Sequence, residues 1–159
     1  MSTIIVRRAQ LADADTIAAF NRALAEETEG RRLDPAIVAS GVRRLLADPA
    51  LGVYYLAERD GSVVGQLLIT TEYSDWRDGV FWWIQSVYVH PAARRRQIYR
   101  ALHEHVERAA RAAGHVCGLR LYVVRHNLAA QQVYQSLGMR QTDYCVYEND
   151  WTRAGEQPR

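Results

Sequence analysis

The chain has 159 residues, of which 48% are hydrophobic and 24% are charged, and its formal net charge is +2. This length and hydrophobic content predict one globular domain over residues 1–150, followed by a polar tail over residues 151–159. The small net charge argues against a nucleic-acid-binding protein. Cys117 and Cys145 have no metal-ligand or disulfide spacing, and no apolar run is long enough to span a membrane. We therefore expect a cytoplasmic protein that needs no metal.

The first 50 residues predict an edge strand and two helices. Residues 3–8 are rich in isoleucine and valine, which is typical of a short strand. Asp13 or Asp15 can cap the helix that follows, and Gly30 ends it. Asp34 followed by proline is a typical start of a second helix. The apolar side chains of this second helix recur at helical spacing: Val38, Val42, Leu45 and Leu46.

A β-hairpin comes next. Residues 53–59 and 62–71 are β-rich runs separated by Asp60 and Gly61, which is a strong signal for a tight hairpin turn. Residues 72–79 contain serine, aspartate and glycine and predict a loop before the next strand.

The most informative stretch begins with a buried strand. Residues 81–89 are crowded with large apolar side chains, which favours a strand covered on both faces. Pro91 ends that strand because proline cannot donate a ladder hydrogen bond. A helix then runs from about Arg95 to Gly114, and its apolar side chains fall on one face: Ile98, Ala101, Leu102, Val106 and Ala109.

Arg94, Arg95 and Arg96 lie at the start of this helix, with Arg100 one turn further on. The first turn of a helix has N–H groups without intrahelical partners and the positive end of the helix dipole, so it favours a phosphate or pyrophosphate. Arginine side chains add charge-assisted donors. A solvated charge run is the alternative interpretation.

The last third of the chain predicts a strand, a helix and a final β segment. Residues 116–124 form the strand, Asn127 is a good helix N-cap, and Gly138 suits the position just after the helix. Residues 140–149 predict one or two final strands.

Two segments resemble the GNAT N-acetyltransferases. The acetyl-CoA motif of that family is Val-x-Pro-x-x-Arg-x-x-Gly-x-Gly/Ala-x-x-Leu, and this chain matches it at Val89, Pro91, Arg94 and Leu102. The second family segment, N-x-x-A-x-x-x-Y-x-x-x-G-F/M, is matched at Asn127, Ala130, Tyr134, Gly138 and Met139.

Gln97 and Tyr99 stand where the family usually has glycine. A side chain at position 97 costs roughly 1–2 kcal/mol if the backbone there needs a positive φ. Tyr99 falls inside the helix, where it carries no such penalty.

The resemblance implies the fold of the chain. We expect an α/β (α+β) domain over residues 1–150, with a mixed central sheet of six to seven strands and about four flanking helices. The strands that end near Val89 and Val124 would splay apart and leave a slot for acetyl-CoA.

The resemblance also implies acetyl-CoA as the co-substrate. The backbone N–H of Val87 would polarise the thioester carbonyl, and Val89 would pair main-chain groups with pantetheine. N–H groups of residues 95–100 and the side chains of Arg94 and Arg96 would hold the pyrophosphate. The implied cofactor contacts are Val87, Tyr88, Val89, Arg94, Arg95, Arg96, Gln97, Ile98, Tyr99, Arg100 and Asn127.

The reaction implied by the family is direct attack of an amine on the acetyl carbon in a ternary complex. Tyr134 would be the general acid that protonates the departing thiolate. Glu27 is our first choice for the general base, because the end of the first helix borders the acceptor slot in this fold. Glu26, Glu72 and Asp75 are the other candidates, although a single carboxylate is more often a solvated surface group.

Aromatic residues crowd the segment before and within the central strand: Tyr73, Trp76, Phe81, Trp82 and Trp83. An aromatic wall beside carboxylates suits a cationic amine, so Glu26, Tyr73 and Trp83 are the predicted acceptor contacts. Trp82 and Trp83 point to opposite faces of the strand, and at least one of them belongs to the core. We expect a small-molecule amine, an amino acid or a peptide as the acceptor, no nucleic acid or membrane partner, and a possible homodimer.

Two alternatives compete with an enzyme. One is a non-catalytic acyl-CoA-binding or regulatory module that keeps the fold, which the missing glycines favour. The other is a small nucleotide-binding protein, but the chain contains no phosphate-binding loop motif.

Overall fold

A computed structural model describes residues 3–152. Within that range the chain forms five strands and four α-helices. In chain order they are β1 (Ile4–Arg8), α1 (Ala14–Glu29), α2 (Pro35–Ala47), β2 (Val53–Arg59), β3 (Ser62–Ser74), β4 (Gly79–Val89), α3 (Ile98–Ala112), β5 (Val116–Arg120) and α4 (Leu128–Ser136). The chain divides into two compact units, one ending at Tyr122 and the other beginning at Val123.

The first unit contains a mixed sheet with the strand order β1-β2-β3-β4-β5. The pairs from β1 to β4 are antiparallel, and β5 adds to β4 in parallel. Asp60 and Gly61, with φ values of 52° and 75°, form the tight turn between β2 and β3. The hairpin and the edge position of β1 confirm the predictions from the sequence.

Helix α3 covers one face of the sheet. Its apolar stripe is buried against β2, β3 and β4, and the largest fully buried side chains of this cluster are Leu67, Ile98, Leu102 and Val106. Gly65 allows the close approach of helix and sheet, because a Cβ atom there would lie 2.8 Å from Cγ2 of Ile98. The amphipathic pattern read from the sequence therefore identifies the face of α3 that packs.

Helices α1 and α2 cover the opposite face. A second cluster joins them to β2 and β3, and its buried members are Ala14, Ile17, Ala18, Val42, Tyr54, Leu56 and Leu68. The sheet is thus a layer between one helix and a helix pair, which is the mixed α/β architecture expected.

The predicted helix ends are confirmed. Gly30, Gly114 and Gly138 each follow a helix with φ between 63° and 83°. The Asp34 carboxylate accepts hydrogen bonds from two N–H groups of the first turn of α2. Asp13 holds the N-cap position of α1, but its carboxylate instead bonds Arg7 and the preceding turn.

Three boundaries predicted from the sequence are wrong. Helix α3 begins at Ile98 and not near residue 95, because Arg95 and Gln97 have left-handed backbones. Strand β5 ends at Arg120, four residues before the predicted end. Strand β3 continues to Ser74 into the predicted loop.

The predicted strands over residues 140–149 do not form, so the described chain has five strands and not six to seven. The apolar side chains of this segment are exposed: Tyr144, Val146 and Tyr147. A β-rich composition makes a strand only where a neighbouring strand supplies the ladder, and none does so for this segment among the described residues.

The predicted polar tail begins at residue 151, and its residues 153–159 lie outside the described range, as do residues 1 and 2. No helix within residues 3–152 is long and apolar enough to cross a membrane.

Candidate functional site

The sheet opens along the second half of β4. Parallel pairing with β5 joins only Val80–Trp83 of β4, whereas β3 pairs with β4 as far as Val89. Beyond Trp83, β4 has no ladder partner on its β5 side among residues 3–152. This is the splay of strands that the resemblance implies.

Main-chain groups of β4 point into this open side. The N–H of His90 donates to the carbonyl of Val64 on β3 at 2.9 Å. Successive residues of a strand direct their N–H and C=O groups to opposite edges, so the groups of Val89 point away from β3. The Val89 carbonyl indeed accepts a hydrogen bond of 3.0 Å from Nε of Arg94. The open edge can therefore pair with an extended ligand.

A β-bulge interrupts the ladder between β3 and this same segment of β4. One β3 residue, Leu67, stands opposite two β4 residues, Ser86 and Val87. Ser86 has a φ of 47°, in the left-handed region. A bulge re-aims the backbone groups next to it, so the direction of the Val87 N–H depends on the conformation of Ser86.

The arginine turn, residues 94–97, precedes α3. Arg95 and Gln97 have φ values of 61° and 64°. Gln97 thus adopts the conformation for which the family motif has glycine, and each such non-glycine residue costs roughly 1–2 kcal/mol.

The N-terminus of α3 presents backbone donors at this turn. The first intrahelical bond runs from the N–H of Ala101 to the carbonyl of Gln97 at 3.0 Å. The N–H groups before it have no intrahelical acceptor, and the Gln97 side chain does not cap them. Arg95 and Arg96 extend from the same turn and are exposed. An anion is favoured in this position.

The other predicted cofactor contacts on α3 offer mainly backbone groups. The Ile98 side chain is buried in the core. The Tyr99 hydroxyl lies 3.3 Å from Nδ1 of His103, and Arg100 lies 3.6 Å from Glu104.

Arg94 forms contacts with the protein at its surface. Its guanidinium contacts Oε2 of Glu27 at 2.5 Å, and Oε1 of Glu27 accepts a bond of 3.0 Å from the Tyr88 hydroxyl. The guanidinium carbon also lies 5.7 Å from the centre of the Tyr88 ring. The structure therefore brings the predicted base together with a predicted pyrophosphate ligand.

This pairing shifts the titration of Glu27. The hydrogen bond from Arg94 lowers the pKa of Glu27 below its ordinary value of 4.5; desolvation opposes the shift, and the bond from Tyr88 adds to it. Glu27 is consequently a carboxylate at neutral pH. Burial raises the pKa of Tyr88, and the Glu27 bond raises it further.

The second unit carries two of the predicted site residues, Asn127 and Tyr134. Oδ1 of Asn127 accepts a bond of 3.1 Å from the N–H of Ala130, which confirms Asn127 as the N-cap of α4. Tyr134 is half-buried on α4, and burial raises its pKa. Its phenol therefore keeps its proton at neutral pH.

The predicted acceptor contacts are not brought to one face. Trp83 pairs with Thr70 and Tyr73 pairs with Val80, so Trp83 and Tyr73 lie on opposite faces of the sheet. Tyr73 is exposed and donates to Asp78 at 2.9 Å. Glu26 is an exposed residue whose carboxylate lies 3.9 Å from Nε of Arg32.

Trp82 packs against the α3-side core, in agreement with the expectation that one tryptophan of the pair is structural. Of the remaining candidates, Trp76 is 87% exposed in the turn before β4. Asp75, an alternative base, caps that same turn through its own carboxylate.

Trp83 belongs to a polar cluster of which only Trp83 and Glu72 were predicted as site residues. The other members are Gln85, Arg120 and Tyr122. Glu72 accepts from Nε1 of Trp83 at 2.9 Å and from Arg120 at 2.6 Å. The Tyr122 ring lies 6.0 Å from that of Trp83, and its hydroxyl donates to Gln85. The available signal was alternation along β4 and β5, which puts these side chains on one face.

Comparison with known proteins gives a consistent result. The model of the acetyltransferase (GNAT) family matches residues 15–139. The crystal structure of a possible acetyltransferase from Clostridium difficile 630 is 42% identical, with a TM-score of 0.87 over 92% of this chain and 97% of that one. No curated protein sequence matches the chain.

More distant structures share the fold. A predicted acetyltransferase from Clostridium acetobutylicum, solved with acetyl-CoA, is 17% identical with a TM-score of 0.75, and 92% of this chain and 96% of that one are covered. An aminoglycoside N-acetyltransferase in complex with CoA is 18% identical with a TM-score of 0.72, and the coverage is 95% and 97%.

Proposed function

The chain belongs to the GNAT family of acetyltransferases, and we propose that it transfers the acetyl group of acetyl-CoA to a primary amine by direct attack in a ternary complex. The observation that carries this proposal is the open edge of β4, which ends at the uncapped N-terminus of α3. An extended thiol arm with a diphosphate at its end requires such a combination of donors.

The described residues fit acetyl-CoA. Main-chain groups of Val87 and Val89 would pair with the pantetheine arm along the open edge of β4. The N–H groups at the start of α3, with the side chains of Arg95 and Arg96, would hold the diphosphate. The Asn127 cap uses Oδ1, which leaves the side-chain NH₂ as a donor for the arm.

The transfer would use an ionised Glu27 carboxylate and a protonated Tyr134 phenol, as the directions of their pKa shifts favour. The amine nitrogen attacks the acetyl carbon, while the Val87 N–H stabilises the negative charge on the carbonyl oxygen. The carbon–sulfur bond breaks, and Tyr134 gives its phenolic proton to the thiolate. Glu27 accepts the proton that the attacking amine releases, directly or through water.

Arg94 would change partner during this cycle. In the structure it binds Glu27, and that contact is the largest cause of the lowered pKa of Glu27. A bound diphosphate would compete for the same guanidinium. Withdrawal of Arg94 would raise the pKa of Glu27 and make it a stronger base.

We propose that residues 1–150 act as one catalytic domain, because the family match runs through both compact units. A small amine, an amino acid or a peptide would be the acceptor.

The first test is calorimetric titration of the full chain with acetyl-CoA and with CoA, at moderate salt so that nonspecific attraction is screened. We expect saturable one-to-one binding, weakened roughly tenfold or more by the double change Arg94→Ala and Arg96→Ala. Arg111→Ala, at the far end of α3, is the matched control and should leave the affinity unchanged. The absence of binding by the unaltered chain would overturn the proposal.

The second test separates an enzyme from a binding module. With an amine panel and detection of released thiol, Tyr134→Phe should lower turnover roughly 100-fold or more and leave acetyl-CoA affinity unchanged. Tyr144→Phe, in an exposed position of the same unit, is the control. Binding without turnover on any amine would favour the non-catalytic module, which the side chain at position 97 also favours.

A further inference from the structure

A buried polar network lies beneath the bulge of β4. Gln66 is fully buried on β3, within an otherwise apolar run. Its Nε2 donates to Oδ1 of Asn21 at 2.7 Å and to the carbonyl of Ser86 at 3.4 Å. The network therefore reaches the bulge residue from inside the core.

Tyr54, on β2, belongs to the same network. Its hydroxyl accepts a bond of 2.9 Å from Nδ2 of Asn21, the same side chain whose Oδ1 accepts from Gln66. Burial raises the pKa of Tyr54, and the hydrogen bond with Asn21 opposes the shift. The Ser86 carbonyl is thus held by Gln66, and Tyr54 supports Gln66 through Asn21.

These contacts explain how a serine keeps a left-handed backbone in the middle of a strand. A φ of 47° is disfavoured for any residue with a Cβ atom and persists only where the surroundings enforce it. Gln66 itself is a poor core residue, because its Oε1 is buried without a hydrogen-bond partner among the described residues. Packing alone would not require an amide with an unpaired oxygen, whereas Nε2 supplies the donor for the Ser86 carbonyl.

We infer that Gln66 and Tyr54 are positioning residues for acyl transfer, which fix Ser86 in the left-handed conformation and so direct the Val87 N–H at the thioester carbonyl. This inference rests on the proposed function, in which the Val87 N–H binds that oxygen. Neither residue touches the reacting atoms. They act through the backbone of Ser86.

The experiment measures the hydrogen bond to the carbonyl directly. Acetyl-CoA labelled with ¹³C at the carbonyl is bound to the full chain, and its carbonyl stretch is recorded by isotope-edited infrared spectroscopy. We expect the unaltered chain to lower the frequency relative to free acetyl-CoA. Gln66→Leu and Tyr54→Phe should lose most of this downshift while acetyl-CoA affinity stays within about tenfold, as for one neutral hydrogen bond.

The matched control is Tyr55→Phe. Tyr55 is the next residue on the same strand, and it faces the α3-side core against His105. Its hydroxyl has no role in holding Ser86, so this variant should keep the full downshift. Where an active amine is available, turnover of Gln66→Leu should fall about 10- to 100-fold at unchanged KM for acetyl-CoA, less than for outright removal of an oxyanion donor.

A rescue variant separates positioning from general stability. Glycine adopts φ near 47° without a steric penalty, so Ser86→Gly added to Gln66→Leu should restore a large part of the downshift. Circular dichroism and thermal unfolding establish that each variant is folded. If Gln66→Leu fails to fold, Tyr54→Phe against Tyr55→Phe carries the test.

The outcomes are distinct. If the unaltered chain does not bind acetyl-CoA, the proposed function fails and the positioning role falls with it. If the unaltered chain binds and shows the downshift, but Gln66→Leu and Tyr54→Phe keep it, only the positioning role is overturned. An unaltered chain that binds without a downshift also overturns it.

Discussion

The β4 bulge and the arginine turn solve the same backbone problem in different ways. Both contain left-handed residues with side chains: Ser86 in the bulge, and Arg95 and Gln97 in the turn. The Ser86 carbonyl is held by buried Gln66, whereas residues 94–97 are exposed and Gln97 caps no N–H group. The left-handed backbone of the bulge is therefore held by side chains of the core. The left-handed backbone of the turn is held by the strand before it and the helix after it.

This difference predicts which of the two regions keeps its conformation and contacts when a ligand binds. The bulge is coupled to the sheet, so its geometry should survive ligand binding and release. The turn depends on α3 behind it, and its arginines can exchange a protein partner for a ligand, as Arg94 would do.

The largest effect is expected where the turn meets the core. Ile98 is 1% exposed and directly follows Gln97. Ile98→Ala should lower the free energy of unfolding by about 2–4 kcal/mol through cavity formation, and should also weaken acetyl-CoA binding, because the turn loses its anchor. Urea denaturation and calorimetry measure the two quantities. Ile37→Ala, in an exposed position on α2, should change stability by less than about 0.5 kcal/mol. Unchanged affinity in Ile98→Ala would show that the turn holds itself.

A lower pH should destabilise α3, the helix that follows the arginine turn, and should leave the β4 bulge unaffected. The bulge network contains neutral polar groups, but α3 buries His103, whose pKa burial lowers below 6.5. Between that lowered pKa and 6.5 the unfolded chain binds more protons than the folded one. The contribution of His103 is then complete above pH 6.5 and declines as the pH falls, by at most about 1.4 kcal/mol per pH unit.

The variant His103→Leu should remove that part of the slope. Urea midpoints at several pH values between 8 and 5 measure it, with exposed His126→Leu as the control. A slope that is the same with and without His103 would contradict the assignment.

Glycine substitutions compare the bulge and the turn through changes of up to about 1 kcal/mol in the free energy of unfolding. Gln97→Gly should raise the free energy of unfolding by roughly 0.5–1 kcal/mol, because relief of the left-handed conformation exceeds the added entropy of the unfolded chain. Ser86→Gly gains the same relief but removes a partly buried side chain from the sheet, so its net change should be near zero. Equal gains at both positions, measured by urea denaturation, would remove the distinction between the two regions.

The smallest effect concerns the ion pair of the turn. Glu27 and Arg94 are both more than a third exposed, so Glu27→Gln should change stability by less than about 0.5 kcal/mol. It should instead raise acetyl-CoA affinity roughly two- to fivefold, because Arg94 loses its competing partner. Calorimetry measures this, and Glu107→Gln on α3 is the control. An unchanged affinity would mean that Glu27 and acetyl-CoA do not compete for Arg94.

Local chemistry allowed most elements to be predicted from the sequence. Gly30, Gly114 and Gly138 end helices, and Asp60 with Gly61 forms the hairpin, because each depends on the residue's own conformational range. The strands over residues 140–149 could not be predicted correctly, since pairing depends on a partner that the segment does not have in the described chain.

The site was predictable where a motif reports on the backbone. The motif identified the open β4 edge and the left-handed conformation at Gln97. It did not indicate the ion pair between Arg94 and Glu27, which are 67 residues apart and meet only in the folded chain. The buried network left one trace, because Asn21 follows Ile17 by one helical turn on the buried stripe of α1.

The short parallel pairing of β5 also bears on how the chain folds. Strands β2, β3 and β4 form a meander of local hairpins. Strand β5 is joined to β4 by a crossover through α3 and pairs only with Val80–Trp83. Non-local parallel contacts form late and open early. We expect amide hydrogens of β5 to exchange faster than those of β3. The β4–β5 pairing that borders the open edge is then expected to form after the meander of β2, β3 and β4.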